Sequence, residues 1–214
     1  MKVLPYGDRG LLLELADTAA VVACVDALRD PALLGRVGDL VADVVPGART
    51  VLLVARPGVG LDALRAMVPD ETHLQRADFG ALGQGPAPEV VIPVQYDGPD
   101  LANVSTHTGL SEDEVVAAHT GTPWRVAFGG FAPGFAYLVG GDPRLQVPRH
   151  ESPRAKVPAG AVGLAGEFSG IYPRSSPGGW QLIGQTDTVL WDLERDPPAL
   201  LGAGVTVRFE AIDG

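Results

Sequence analysis

Phe131-Ala132-Pro133-Gly134-Phe135-Ala136-Tyr137-Leu138 is the centre of a longer run, residues 119–192, in which prolines and glycines recur every few positions. The run continues through Pro148-Arg149, Pro153-Arg154-Ala155-Lys156-Val157-Pro158-Ala159-Gly160, Gly170-Ile171-Tyr172-Pro173 and Ser176-Pro177-Gly178-Gly179-Trp180. Proline fixes φ and glycine admits backbone angles closed to other residues, so turns set the path of such a chain. Short β-like segments lie between or beside the turns, at 124–128, 161–165, 181–184, 188–191 and 205–209. Several short strands bounded by Gly/Pro turns predict a barrel or a sandwich.

Upstream the pattern changes. Residues 11–15 read as a strand after the turn Gly7-Asp8-Arg9-Gly10. Asp17 or Thr18 is placed to cap a helix over 19–28, where Val21, Cys24, Val25 and Leu28 recur at helical spacing. Strands are predicted at 41–45 and 50–55, and a helix at 61–67 that Pro69 stops. With a last strand at 90–94, this makes an α/β sandwich with helices on one face of an antiparallel sheet. Residues 80–88, rich in Gly, Pro and Ala, read as a linker. The expected division is therefore an N-terminal α/β domain over 1–86 and a β-rich domain over 87–214, in the α+β class. Two helices open the second part, at 101–108 and 112–119. Gly109-Leu110 breaks them apart, and Ser111-Glu112-Asp113-Glu114 fits a capping box.

Composition narrows the function. The chain has 214 residues, 46% of them apolar and 20% charged, which suits a soluble protein with a real core. A formal net charge of −10 does not favour nucleic acid or an anionic membrane as partner. The helix pair at 101–119 superficially resembles a DNA-binding helix-turn-helix, but its second helix is acidic and lacks Arg and Lys. No apolar run reaches membrane-spanning length, and the N-terminus lacks a signal-peptide pattern, so the expected location is the cytoplasm. Cys24, the sole cysteine, precludes an internal disulfide and reads as a small buried hydrophobe. His73, His107, His119 and His150 have no metal-ligand spacing, so no metal site is expected.

The chemistry-bearing residues fall in the Gly/Pro-rich run. Arg154 and Lys156, two apart on an extended segment, point the same way and would repel unless an anion lay between them; a solvated surface pair is the alternative. His119 closes a helix, where its cation would suit the dipole or its ring would serve as acid or base. Ser175 and Ser176 precede Pro177, and either would need to meet Lys156 in space to form a nucleophilic pair. Tyr172 and Trp180 border glycine turns and read either as core or as a wall for a planar ligand.

These segments together resemble a known family. The chain is similar to the B subunit of bacterial 5-oxoprolinase, also called allophanate hydrolase subunit 1 or the Kip inhibitor (KipI) family, of the carboxyltransferase subdomain C-D type. The resemblance is carried by His119, Phe131-x-Pro-Gly-Phe-x-Tyr-Leu138, Gly140-Gly141, Pro148-Arg149, Pro153-Arg154-x-Lys-Val-Pro-Ala-Gly160, Val162-Gly-Leu-Ala-Gly166, Gly170-Ile-Tyr-Pro173 and Ser176-Pro-Gly-Gly-Trp180. Gly98-Pro99-Asp100-Leu101 adds a weaker match. The chain departs from the family pattern at Ala161, where a serine is usual, at Phe168-Ser169, where Gln/Asn-Thr is usual, at Gln185, where an arginine is usual, and at Ala203-Gly204.

The resemblance implies a cyclophilin-like β-barrel after the small α/β domain. It implies a subunit of an ATP-dependent hydrolase that opens the lactam of 5-oxoproline to glutamate, with ATP, and Mg with it, bound by the complex. The implied partners are a homologous C subunit (allophanate hydrolase subunit 2, KipA type) and a LamB/YcsF-type subunit. Two other roles occur for such chains: inhibition of a sensor histidine kinase by direct binding, and membership of an allophanate hydrolase or urea carboxylase complex. In the enzyme reading, His119, Arg154 and Lys156 are the catalytic candidates. Phe131, Pro133, Gly134, Phe135, Tyr137, Tyr172, Ser176, Gly178, Gly179 and Trp180 are the substrate-binding candidates.

Overall fold

A computed structural model describes residues 1–68 and 88–213. The linker expected over 80–88, together with Pro69 and His73, lies outside the described residues except for Pro88. The chain divides into two compact units, Met1–Gly85 and Pro86–Gly214.

The first unit is a four-stranded antiparallel sheet with helices. Strands β1 (Lys2–Tyr6), β2 (Gly10–Glu14), β3 (Val41–Pro46) and β4 (Thr50–Ala55) pair in the order β1-β2-β4-β3. Period-2 alternation selects the buried face: Leu11 and Leu13 of β2 and Val51, Leu53 and Ala55 of β4 are buried. Helix α1 (Thr18–Leu28) closes that face with Val21, Cys24, Val25 and Leu28. Its N-cap is Asp17, whose Oδ1 accepts from the Ala20 N–H at 2.8 Å. Strand β1 and helix α2 (Pro31–Leu40) are elements that periodicity did not indicate. Helix α3 (Leu61–Arg65) adds Leu64 to the same core. Cys24 is buried among these side chains, and burial pushes its thiol pKa up to about 12, so it packs as a neutral group.

The second unit is built on a seven-stranded sheet. Strands β5 (Glu89–Val94), β6 (Trp124–Gly129), β7 (Ala136–Val139), β9 (Ala161–Ala165), β10 (Phe168–Ile171), β12 (Gln181–Gln185) and β13 (Thr206–Ala211) pair in the order β12-β9-β10-β7-β6-β13-β5. The 90–94 strand therefore belongs here. It pairs parallel with β13 and does not complete the first sheet. The two edge strands are joined where Gln95 and Gln185 exchange backbone hydrogen bonds of 2.9 Å each way, so the sheet is nearly closed, like a barrel. Gly184 makes this approach possible: a Cβ there would stand 2.5 Å from the Gln95 carbonyl oxygen. A small two-stranded sheet, β8 (Arg154–Val157) with β11 (Ser176–Gly178), lies outside this ring. Residues 188–191 form no strand; Trp191 makes only an isolated bridge to Ala199.

Helices α4 (Leu101–Thr108) and α5 (Glu112–Gly121) pack on the sheet through Leu101, Val104, Val115 and Ala118. The capping box at Ser111 forms as expected, with Ser111 Oγ accepting from Glu114 N and Glu114 Oε2 accepting from Ser111 N. No helix among the described residues is long and apolar enough to cross a membrane.

Candidate functional site

Strands of the closed sheet alternate, so one set of side chains fills the barrel and the other faces away. The inward set includes Val126, Leu138, Val162, Leu164, Ile183, Val207 and Phe209. The outward set, from β7, β10 and β12 with the turns beside them, joins Val157 of β8 in a second cluster of Phe135, Tyr137, Val157, Phe168, Tyr172, Trp180 and Leu182. Between these rings opens a cavity of about 430 Å³, within the range of small-molecule sites.

The cavity walls are aromatic. Phe131, Phe135, Tyr137, Phe168, Tyr172 and Trp180 line it, with Pro148, Ala165, Gly166, Pro177 and Gly178 between them. The rings brace one another edge to face. Phe135 stands 5.4 Å from both Tyr172 and Trp180 at 77° and 88°, and Tyr137 stands 5.4 Å from Phe168 at 82°. Gly178 is needed beside this wall, since a Cβ there would lie 2.3 Å from Tyr172 Oη. Burial raises the Tyr172 pKa, against the lowering effects of a hydrogen bond with the Trp180 backbone and the charges of Arg149 and Arg154; the phenol stays neutral. Among the described residues that line the cavity, Arg149 is the one with a formal charge.

Of the substrate-binding candidates, Phe131, Phe135, Tyr137, Tyr172, Gly178 and Trp180 come together on this cavity. Pro133, Gly134, Ser176 and Gly179 do not line it. Gly134, at φ 83°, shapes the turn after Phe131, and the Gly179 carbonyl accepts from the His150 N–H at 2.8 Å. Ser176 Oγ is buried with no hydrogen-bond partner among the described residues, so no Ser–Lys pair with Lys156 is formed.

None of the catalytic candidates lines the cavity. His119 is fully buried in the barrel core. Its Nδ1 is 2.7 Å from Tyr96 Oη, its Nε2 is 2.8 Å from Ser169 Oγ, and its ring stacks on Phe209 at 4.2 Å. Burial depresses its pKa to about 3, so the ring is neutral, and the expectation of a cation matched to the helix dipole is corrected. A neutral imidazole offers one donor and one acceptor, and two hydroxyls satisfy either tautomer. The hydroxyl at 169 is thus a structural requirement that the Thr-to-Ser departure retains.

Arg154 already has its anion, and that anion is internal. Its Nη2 donates to Asp100 Oδ1 at 2.6 Å, and its Nη1 donates to the Trp180 carbonyl at 3.4 Å. Asp100 Oδ2 accepts from the Leu182 N–H at 2.7 Å, and His150 Nε2 lies 3.2 Å from Oδ1. Burial of Asp100 raises its pKa, but the hydrogen bonds from Arg154 and Leu182, with the nearby His150 ring and the charge of Arg154, together outweigh this and hold the carboxyl below its usual range. Lys156, on the same strand β8, is exposed. Sequence reasoning misses Asp100 as the partner of Arg154 and Arg149 as the cation of the cavity lining, although both stand inside recognisable motifs, Gly98-Pro99-Asp100-Leu101 and Pro148-Arg149. Phe168 is a departure from the family pattern that adds a ring to the cavity. Ala161 is buried beside the aromatic cluster, and Gln185 donates to Asp97 Oδ2 at 3.0 Å. Among the described residues no group of three or more His, Cys, Asp or Glu is placed to hold a metal.

A barrel-like sheet with an aromatic cavity on its outer face, joined in one chain to a small α/β unit, defines the class. The chain belongs to the family described as carboxyltransferase domain, subdomain C and D, whose model matches residues 1–201. It is 42% identical over 177 residues to the 5-oxoprolinase B subunit of Escherichia coli O157:H7, covering 79% of this chain and 77% of that one. It is 48% identical over 126 residues to the 5-oxoprolinase B subunit of Bacillus subtilis (strain 168), covering 58% of this chain and 52% of that one. Among solved structures, TTHA0988 matches with a TM-score of 0.70 and 35% identity, over 96% of this chain and 40% of that chain. The Kluyveromyces lactis urea amidolyase matches with a TM-score of 0.65 at 18% identity, over 98% of this chain and 15% of that one; at that identity the likeness is one of fold.

Proposed function

We propose that this chain is a subunit of an ATP-dependent 5-oxoprolinase and that its aromatic cavity holds the lactam substrate. The observation that carries the reading is the cavity itself, lined by rings and one cation, in a chain related over most of its length to 5-oxoprolinase B subunits. Opening the lactam adds water across the ring C–N bond: oxygen joins the carbonyl carbon, the C–N bond breaks, and the nitrogen takes a proton to become the amine of glutamate. The ring carbonyl needs activation near neutral pH, which phosphoryl transfer from ATP supplies.

The cavity does not suit ATP. Three phosphates call for a cradle of backbone N–H groups or several cations. Here the lining has aromatic walls and Arg149. ATP therefore binds elsewhere in the complex, with a homologous C subunit and a LamB/YcsF-type subunit as partners. In this chain the rings orient the lactam and exclude water. Arg154, tied to Asp100, holds the Trp180 backbone in place instead of meeting the substrate. The test is phosphate release from ATP with and without 5-oxoproline, using this chain alone and then with the two partner subunits. Release that depends on 5-oxoproline is expected in the assembled complex. Its absence there overturns the reading.

A further inference from the structure

We infer that Arg149 is the anion-recognition residue of the aromatic cavity, which takes a small flat carboxylate with its carbon body against the rings. This rests on the cavity being the substrate site. It moves recognition of the anion away from Arg154 and Lys156, the residues whose spacing suggested it.

Three observations carry it. First, Arg149 lines the cavity and makes no hydrogen bond or ion pair among the described residues; Arg174 is likewise unpaired but does not line the cavity, while Arg154 is paired with Asp100, Arg144 with Asp142 and Arg208 with Glu89. A guanidinium is a planar fork that matches a carboxylate with two parallel bonds. Second, among the described residues the lining includes no Asp or Glu. Aromatic walls alone would also attract a cation through their ring faces. A cationic ligand here would meet Arg149 with no carboxylate to offset the repulsion, so the charge pattern selects an anion. Third, the rings are held edge to face, and Arg149 is close enough for its charge to lower the pKa of the Tyr172 phenol. The cation therefore acts at the cavity, where the apolar walls strengthen charge pairing relative to bulk water.

The test uses the full chain and two pairs of probes, each a carboxylate with a neutral analogue: 5-oxoproline with 2-pyrrolidinone, and phenylacetate with phenylacetamide. Binding is followed by the fluorescence of Trp180, which lines the cavity, with Trp180→Phe as the control that assigns the signal. At least one carboxylate is expected to bind about tenfold or more tightly than its analogue. Arg149→Gln should erase the preference and Arg149→Lys should keep part of it. Arg149 is exposed, so Arg149→Gln should unfold at the wild-type urea midpoint. Equal binding of acid and analogue, or a preference that survives Arg149→Gln, overturns the inference. Arg149-dependent binding of phenylacetate without binding of 5-oxoproline would keep this inference and sink the oxoprolinase reading. Unchanged KM for 5-oxoproline in an assembled complex carrying Arg149→Gln would do the reverse.

Discussion

His119 and Arg149 are the two polar residues that best show how this unit separates structure from chemistry. His119 lies in the barrel core with both ring nitrogens bonded and its charge suppressed. Arg149 stands on the aromatic cavity with its guanidinium unbonded among the described residues. A polar side chain whose bonding capacity is filled from within holds the fold; one left unfilled beside a cavity is available to a ligand. The Asp100–Arg154 pair falls on the structural side of this line, although Arg154 sits in the most basic part of the sequence.

The comparison breaks first at His119. Its removal should cost the most, because His119→Ala leaves Tyr96 and Ser169 hydroxyls buried without partners and opens a hole beside Phe209. A loss of about 3 kcal/mol or more in urea unfolding is expected. A variant as stable as wild type would mean that the buried network does not hold the barrel.

The same residue gives a pH signature. Its folded pKa of about 3 lies below the ordinary value of 6.5, so the unfolded chain binds the proton more readily. The stability due to neutral His119 is fully present above about pH 6.5 and is lost as the pH falls toward 3. The slope should approach about 1.4 kcal/mol per pH unit within that window. Tyr96, bonded to the ring, is itself pushed up by burial and stays neutral there. His119→Gln should remove the slope in unfolding measured from pH 7 to pH 4. Asp100, held low, adds its own loss only below the usual carboxylate range.

Asp100→Asn should have a smaller effect. It keeps an acceptor for the Leu182 N–H but takes the charge from Arg154, which is about one-third exposed. A loss of about 1–2 kcal/mol is expected. The tryptophan emission should shift as well, because Arg154 also holds the Trp180 carbonyl. An unshifted spectrum would disconnect the pair from the cavity wall.

Much of this is legible in the chain, for physical reasons that can be named. The apolar run at 50–55 and the capping box at Ser111 declare themselves locally. Strands β7, β8, β10 and β11 do not, because each has three or four residues and is set by pairing with distant partners. The β5 segment is clearly a strand, but its parallel partner β13 is more than a hundred residues away, so spacing does not assign its sheet. The aromatic motif declares a site, whereas the bonding of Arg154 to Asp100 depends on a contact across 54 residues. Arg154 is thus engaged within the fold, whereas Arg149 is the cation of the cavity lining and is unbonded among the described residues.

The finest test of the comparison is Phe131, at the cavity mouth. It is a non-glycine residue with φ of 66°, and 59% of it is exposed. A side chain in that left-handed region costs about 1 kcal/mol or more, and such strain collects at functional sites. Phe131→Ala keeps the Cβ and its strain while losing the ring contacts with Phe135 and Tyr172. Phe131→Gly loses the same contacts but relieves the strain, offset in part by the greater freedom of glycine in the unfolded chain. The glycine variant should therefore be the more stable of the two, by about 0.5–1 kcal/mol in urea unfolding. Both should bind cavity ligands less well than wild type. If alanine proves as stable as glycine, the backbone at 131 is unstrained and its conformation follows from the Pro133-Gly134 turn alone; if both bind as wild type does, the ring is an ornament of the turn and not part of the wall.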